Sequence, residues 1–214
     1  MPDPCRPPVP AEPRATLVEL FAGTATDGAA TGFLMAQLGS GGRGPVLWVQ
    51  DRLSRREGGR PYATGLAGLI GRPVELLHLE VGRATDALWA MEEALGCPAL
   101  SAVVGEVWGD PAALDFTATK RLALRAERGG VPAWLLRRSA QADLSAARER
   151  WRVAALPSPP EPHDAHAPGQ PLWQAELFRA RDRVPGAWVA QASRTGLVLQ
   201  HGTSAVELPL RRAG

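Results

Sequence analysis

At 214 residues, 45% of them hydrophobic, with 24 basic and 22 acidic side chains and a formal charge of +2, the chain is long enough for one domain with a substantial core. Lys120 is the only lysine; this arginine skew, beside many alanines, glycines and prolines, reads as a GC-rich coding composition, so arginine content alone does not argue for nucleic acid. Cys5 and Cys97 are the only cysteines, which excludes a disulfide framework or a cysteine metal motif, and no secretory apolar region or run of membrane-spanning length occurs. A reduced, cytoplasmic protein is expected.

The proline-rich start, MPDPCRPPVPAEPRA, is expected to be an extended or disordered tail over residues 1–15. TLVELFA at 16–22 reads as a strand, followed by a glycine-bearing loop and a helix through Leu38 that stops at GSGGRG. VLWVQ at 46–50 is a second buried strand, the arginine-rich stretch after it a polar loop, 62–70 a helix and 74–80 a strand. Residues 84–95 form an amphipathic helix presenting Leu88, Met91, Ala94 and Leu95, LSAVV at 100–104 a short buried strand, 115–128 a helix and VPAWLL at 131–136 a strand. Such alternation argues for a parallel sheet with helices on both faces, whose strand ends form the usual site. After Ser139 the spacing predicts a short charged helix at 144–150, a strand at 151–156 and a loop, PSPPEPHDAHAPGQP, too rich in proline to be core. Strands at 172–179, 187–192, 196–200 and 205–210, with turns at 183–186 and 201–203, end the sheet as an antiparallel meander. The expected organisation is a tail at 1–15, a core domain at 16–192 and terminal strands and tail at 193–214.

The stretch GTATDGAATG at 23–32 lies where a phosphate-binding loop would. In G-x-x-x-x-G-K-[ST] the backbone N–H groups curl around the phosphates while the lysine and hydroxyl hold the outer phosphate and the magnesium. Gly23 and Gly28 keep the glycine spacing with Asp27 before the second, but Ala29 and Ala30 occupy the lysine and hydroxyl positions, and Thr31 comes one place late. Losing two charge-assisted contacts of about 1.5–3 kcal/mol each weakens nucleotide binding roughly a hundredfold to ten-thousandfold. An ordinary glycine turn before a helix fits the same letters.

Other chemistry-bearing residues point to structure. Trp48 and Trp134 lie in apolar strands and read as core; His163 and His166 stand in a solvated loop without further ligands nearby, so neither metal nor cofactor is called for. Glu92, Glu93 and Glu127 read as helix surface, and no nucleophile with an adjacent base stands out.

The element order, opening with LVELFAGTATDGAATGFLMAQL, resembles the ATPase core of RecA. WVQDR, GRPYATGL, ALSAVVGEVWG with DFTATKRLALRAE, and RERWRVAALPSP before PLWQAELFRARDRVPGAW resemble the ImuA family, degenerate RecA-like (SulA-like) proteins encoded beside a Y-family polymerase-like protein in bacterial mutagenesis cassettes. The resemblance spans about residues 16–191. It implies an α/β, RecA-like core with a mainly parallel central sheet flanked by helices, antiparallel C-terminal strands and a degenerate nucleotide site. Beyond Ala29 and Ala30, the Walker B aspartate falls on Gly105 with Glu106 one place off, and the water-activating glutamate falls near Arg52, after Asp51. Phosphoryl transfer needs charge stabilisation, a metal and an oriented water, so a pseudo-ATPase is expected.

The same resemblance suggests partner sites. A lysine pair that reaches the neighbouring subunit's nucleotide in RecA filaments matches Arg179 and Arg181, with Arg183 following; alternating arginines also mark the solvent face of a strand, and both readings stand. Trp108 either meets a partner or plugs the vacated pocket, and Arg211 and Arg212 lie in a tail region that the family implicates in partner binding. Arg137, Arg138, Arg148, Arg150 and Arg152 form a basic neighbourhood in sequence, read either as solvated charge or as a contact for DNA or an acidic surface. The intervals matching RecA's mobile DNA loops shrink to WGDPAAL and RRSAQADL, and no linking arm precedes residue 16, so filament-like DNA binding and self-polymerisation are not expected. The implied role is a noncatalytic adaptor in SOS-induced translesion synthesis that binds RecA and the Y-family-like ImuB and serves the error-prone C-family polymerase indirectly. A SulA-like cell-division inhibitor and a weak NTPase using Thr31 and Glu106 are the alternatives.

Overall fold

Two-residue alternation along the strands divides the protein into layers. In the computed structural model, which describes residues 15–39, 44–193 and 196–200, the chain runs β1 (Leu17–Ala22), α1 (Ala29–Leu38), β2 (Val46–Asp51), α2 (Arg52–Gly58), α3 (Ala63–Ile70), β3 (Leu76–Val81), α4 (Ala84–Ala94), β4 (Ala102–Trp108), α5 (Phe116–Gly129), β5 (Ala133–Arg138) and β6 (Glu149–Leu156). A small hairpin, β7 (Pro160–Glu161) and β8 (Asp164–Pro168), precedes β9 (Leu172–Ala180), β10 (Gly186–Ser193) and β11 (Gly196–Gln200). One nine-stranded sheet has the order β11-β10-β9-β6-β1-β5-β4-β2-β3. From β6 to β3 neighbours are parallel, and β9, β10 and β11 continue it antiparallel.

Successive strand residues point to opposite faces. Val18, Leu20, Val104, Trp134 and Leu136 therefore join α1, α3 and the antiparallel strands in one core with Phe33, Trp151, Trp173 and Trp188. Leu17, Val103, Ala133 and Leu135 meet α4 and α5 in the other, around Leu88, Met91, Leu95 and Leu122. Helix α1 is buried on nearly every side, Thr31 excepted. A Cβ at Gly32 would stand 2.6 Å from the Trp173 ring, so glycine lets α1 approach that close.

Several expected elements come out differently. The arginine-rich polar loop after β2 is helix α2, because the Asp51 carboxylate accepts from Ser54 N at 2.7 Å and caps its first turn. No helix forms at 144–150: Arg148 N donates to Leu17 O at 2.9 Å and the following residues pair in parallel with β1, so sheet pairing overrides the local helical spacing. Strand β4 runs on to Trp108, well past Val104. The expected strand at 205–210 and turn at 201–203 lie outside the described residues.

Candidate functional site

The loop between β1 and α1 meets the C-terminal ends of β4 and β5, and an arginine holds it there. From the last residue of β5, Arg138 donates through Nη1 to Asp27 O at 2.8 Å and Ala25 O at 3.3 Å, and through Nη2 to Thr31 Oγ1 at 3.0 Å. The loop thus turns two carbonyls and a hydroxyl toward an internal cation. Asp27 supplies the matching internal anion: its Oδ1 accepts from Ala29 N at 2.7 Å, at the start of α1, and its Oδ2 from Ala155 N at 2.9 Å. A helix start favours negative charge, and here a carboxylate of the chain itself meets that preference.

The two glycines have separate reasons. Gly23 packs against β6, where a Cβ would lie 2.7 Å from Ala154 Cβ, and its N–H donates to Val153 O. Gly28 caps α1 with φ −78° and has open space around it. Neither has the positive φ that the αR-αL nests of anion-binding loops use.

Arg138 also donates from Nε to Glu106 Oε1 at 2.5 Å, and both side chains are buried. Glu106 Oε2 accepts from Trp48 Nε1 at 3.0 Å and Gln50 Nε2 at 2.8 Å, and Gln50 Nε2 also reaches Gly59 O. With its amide nitrogen so used, Gln50 offers Oε1 to His78 Nε2 at 2.8 Å, which places a proton on Nε2. Partial burial and then the Arg60 charge lower the His78 pKa from 6.5, which keeps the ring neutral. A polar chain therefore runs from β3 across β2, β4 and β5 to the loop. Above it lies a cavity of about 350 Å³ walled by Thr26, Thr31, Arg60, Tyr62, Leu66 and Leu69, with Glu106 and Arg138 among its lining residues. Gly58 permits this closure of α2, since a Cβ there would stand 2.7 Å from Glu106 Oε1.

The arginines grouped in sequence separate in space. Arg137, Arg138 and Arg150 are 5%, 6% and 3% exposed. Arg150 donates to Glu19 at 2.6 Å and Arg137 to Asp110 at 2.7 Å; burial lowers the Arg137 pKa, and Glu19 and Asp110 oppose that shift. Arg148 bridges Glu127 and Asp182, whose hydrogen bonds raise its pKa. Arg152 pairs with Glu176 and stacks 4.1 Å from the Phe178 ring centre. Arg137, Arg138 and Arg150 are thus internal, because β5 and β6 flank β1 and turn them toward Glu19 and Glu106, whereas Arg148 and Arg152 form partly exposed ion pairs.

Arg179 and Arg181 are exposed and make no side-chain hydrogen bond or ion pair with other described residues. Arg183 differs: its Nε donates to Glu149 Oε1 at 2.8 Å and its guanidinium stands over Trp151. Trp108 ends β4, half-buried, with its N–H bonded to Ser54 Oγ at 3.0 Å, and it does not line the 350 Å³ cavity. Arg211 and Arg212 lie outside the described residues. Sequence reasoning passed over Glu19, Gln50 and His78; a polar residue inside an apolar strand, as in LVELFA or VLWVQ, was the available signal.

No family model matches the chain. Two curated relatives do: Protein ImuA of Caulobacter vibrioides strain NA1000 / CB15N and Protein ImuA of Caulobacter vibrioides strain ATCC 19089 / CIP 103742 / CB 15, each 34% identical over 163 residues, which cover 72% of this chain. The match takes in 62% of each relative, so this chain spans about three fifths of their length. On this similarity the chain belongs to the ImuA family.

Proposed function

We propose that the chain is a noncatalytic RecA-like adaptor in damage-induced translesion synthesis, binding RecA and the polymerase-like ImuB, and through that assembly serving an error-prone C-family polymerase. Family membership supports the mutagenesis setting. The order of elements, from a strand–loop–helix opening to an antiparallel end, supports the RecA-like reading.

The observation that carries the noncatalytic part is Arg138 seated on the loop carbonyls while the Asp27 carboxylate accepts from Ala29 N at the start of α1. In a working phosphate loop the phosphate brings negative charge and the protein brings lysine and N–H donors. Here both charges come from the chain, so a nucleotide would have to displace Asp27 from the helix start and break the Arg138 contacts. Ala29 and Ala30 are buried and supply neither charge nor hydroxyl. The internal pair holds the loop in one shape without an ATP cycle, as an adaptor requires.

Partner contact is assigned to Arg179 and Arg181, the arginines of the LFRARDR stretch left without internal ion pairs among the described residues. The test is binding of the purified chain to RecA on single-stranded DNA with a slowly hydrolysed ATP analogue, beside direct nucleotide titration of the chain alone. The adaptor reading expects filament binding, no nucleotide affinity at millimolar concentration, and loss of RecA binding on Arg179→Glu with Arg181→Glu. Tight nucleotide binding without RecA contact would replace it with the NTPase reading.

A further inference from the structure

A second cavity, about 290 Å³, opens on the α5 side of the sheet between the β4–α5 connection and the segment that leads into β6. Four carboxylates line it, Glu19, Asp110, Asp115 and Asp143, against one guanidinium, Arg137. We propose that this cavity receives the basic side chain of a protein partner, with arginine as the best fit.

Glu19 carries the argument. It is fully buried on β1, its Oε2 accepts from Arg150, and its Oε1 has no hydrogen bond; Arg137 Nη1, at 3.6 Å, stays beyond hydrogen-bond reach. A buried carboxylate oxygen without a donor is costly, and a guanidinium entering the cavity brings several donors in a planar fork. Asp143, exposed near the opening, has no side-chain hydrogen bond with other described residues. The positive charge already present is shared: Arg137 Nη2 donates to Asp110 Oδ1 and Gly109 O, and Nη1 faces Glu19 Oε1 only as an ion pair at 3.6 Å.

The apolar surroundings specify a side chain on a protein over a free cation. Leu144 and Phe116 line the same cavity and are 66% and 43% exposed. They form a collar that would cover the methylene stem of an arginine, which buries its stem along apolar surface. Arg137 Nε also lacks a hydrogen bond, so an anion is the competing occupant.

The experiment is a titration of the ¹⁵N-labelled chain, followed through its backbone amides, with Nα-acetylarginine amide, Nα-acetylcitrulline amide and inorganic phosphate. The arginine compound should give saturable shifts at Ala112, Asp143 and Leu144; the uncharged citrulline compound should not. Asp143→Asn, an exposed change that leaves the core intact, should weaken binding about tenfold. A short peptide with arginine between leucines should bind more tightly than the amide, and Leu144→Ser should remove the excess. Equal response to arginine and citrulline, no effect of Asp143→Asn, or saturation by phosphate would overturn the proposal. Equal affinity of peptide and amide would overturn its assignment to a protein partner. The outcome is independent of RecA binding and of the nucleotide titration.

Discussion

Arg138 Nε lies 2.5 Å from Glu106 Oε1, and the pair joins the last residue of β5 to β4 beneath the glycine loop. Removing the arginine alone strands a buried carboxylate. Arg138→Met should cost about 3–5 kcal/mol. The double change with Glu106→Gln removes the stranded charge while keeping an acceptor for Trp48 and Gln50, and should recover at least half of that loss. Urea unfolding midpoints of the three proteins decide the matter; a double variant as unstable as the single would show that the charge is not the cause.

Gly129 and Gly105 both pack too closely for a Cβ, against neighbours of different stiffness. At Gly129 the added atom would stand 1.8 Å from the Leu95 carbonyl oxygen; at Gly105 it would meet Met91 Sδ at 2.2 Å. A methionine can change rotamer, whereas a backbone carbonyl moves only with its helix. Gly129→Ala should therefore destabilise more than Gly105→Ala, for which overpacking costs typically about 1–3 kcal/mol. Thermal unfolding of both variants ranks them.

His78 makes stability depend on pH. Its folded pKa lies below the ordinary 6.5, through burial first and the Arg60 charge second, with Arg55 acting the same way and Glu80 and Glu106 opposing. The unfolded chain therefore binds the proton first as pH falls. The His78 contribution should be complete above about pH 6.5 and decline as pH drops from there toward the folded pKa. The wild-type minus His78→Gln difference in unfolding free energy, measured from pH 7.5 to 5, should shrink over that range; a flat difference would refute the assignment.

Asp51 and Asp115 cap α2 and α5 by accepting from Ser54 N and Ala118 N, both at 2.7 Å. Either change to alanine should cost about 1 kcal/mol. The seven-residue α2 has few turns to spare, so Asp51→Ala should also speed amide exchange throughout that helix. Asp115→Ala should affect only the first turn of the longer α5. Hydrogen exchange by mass spectrometry separates the two patterns.

Sequence alone determined the alternation of strands and helices, because burial repeats every two residues in a strand and about 3.6 in a helix. It placed β1, α1, α4 and α5 and the antiparallel strands β9 to β11 close to where they lie. It also put two alanines, Ala29 and Ala30, at the start of the helix that follows the glycine loop. Tertiary structure decided which side chains meet that loop. Arg138 and the loop are 111 positions apart at the Asp27 contact, and Glu19 meets Arg150 across 131; no local periodicity encodes such pairs. Residues 144–150 show the same limit, since their charges suit a helix until β1 offers a ladder to join. Whether an arginine faces water or closes a buried pair depends on which strands become neighbours, and the order β6-β1-β5-β4 set that.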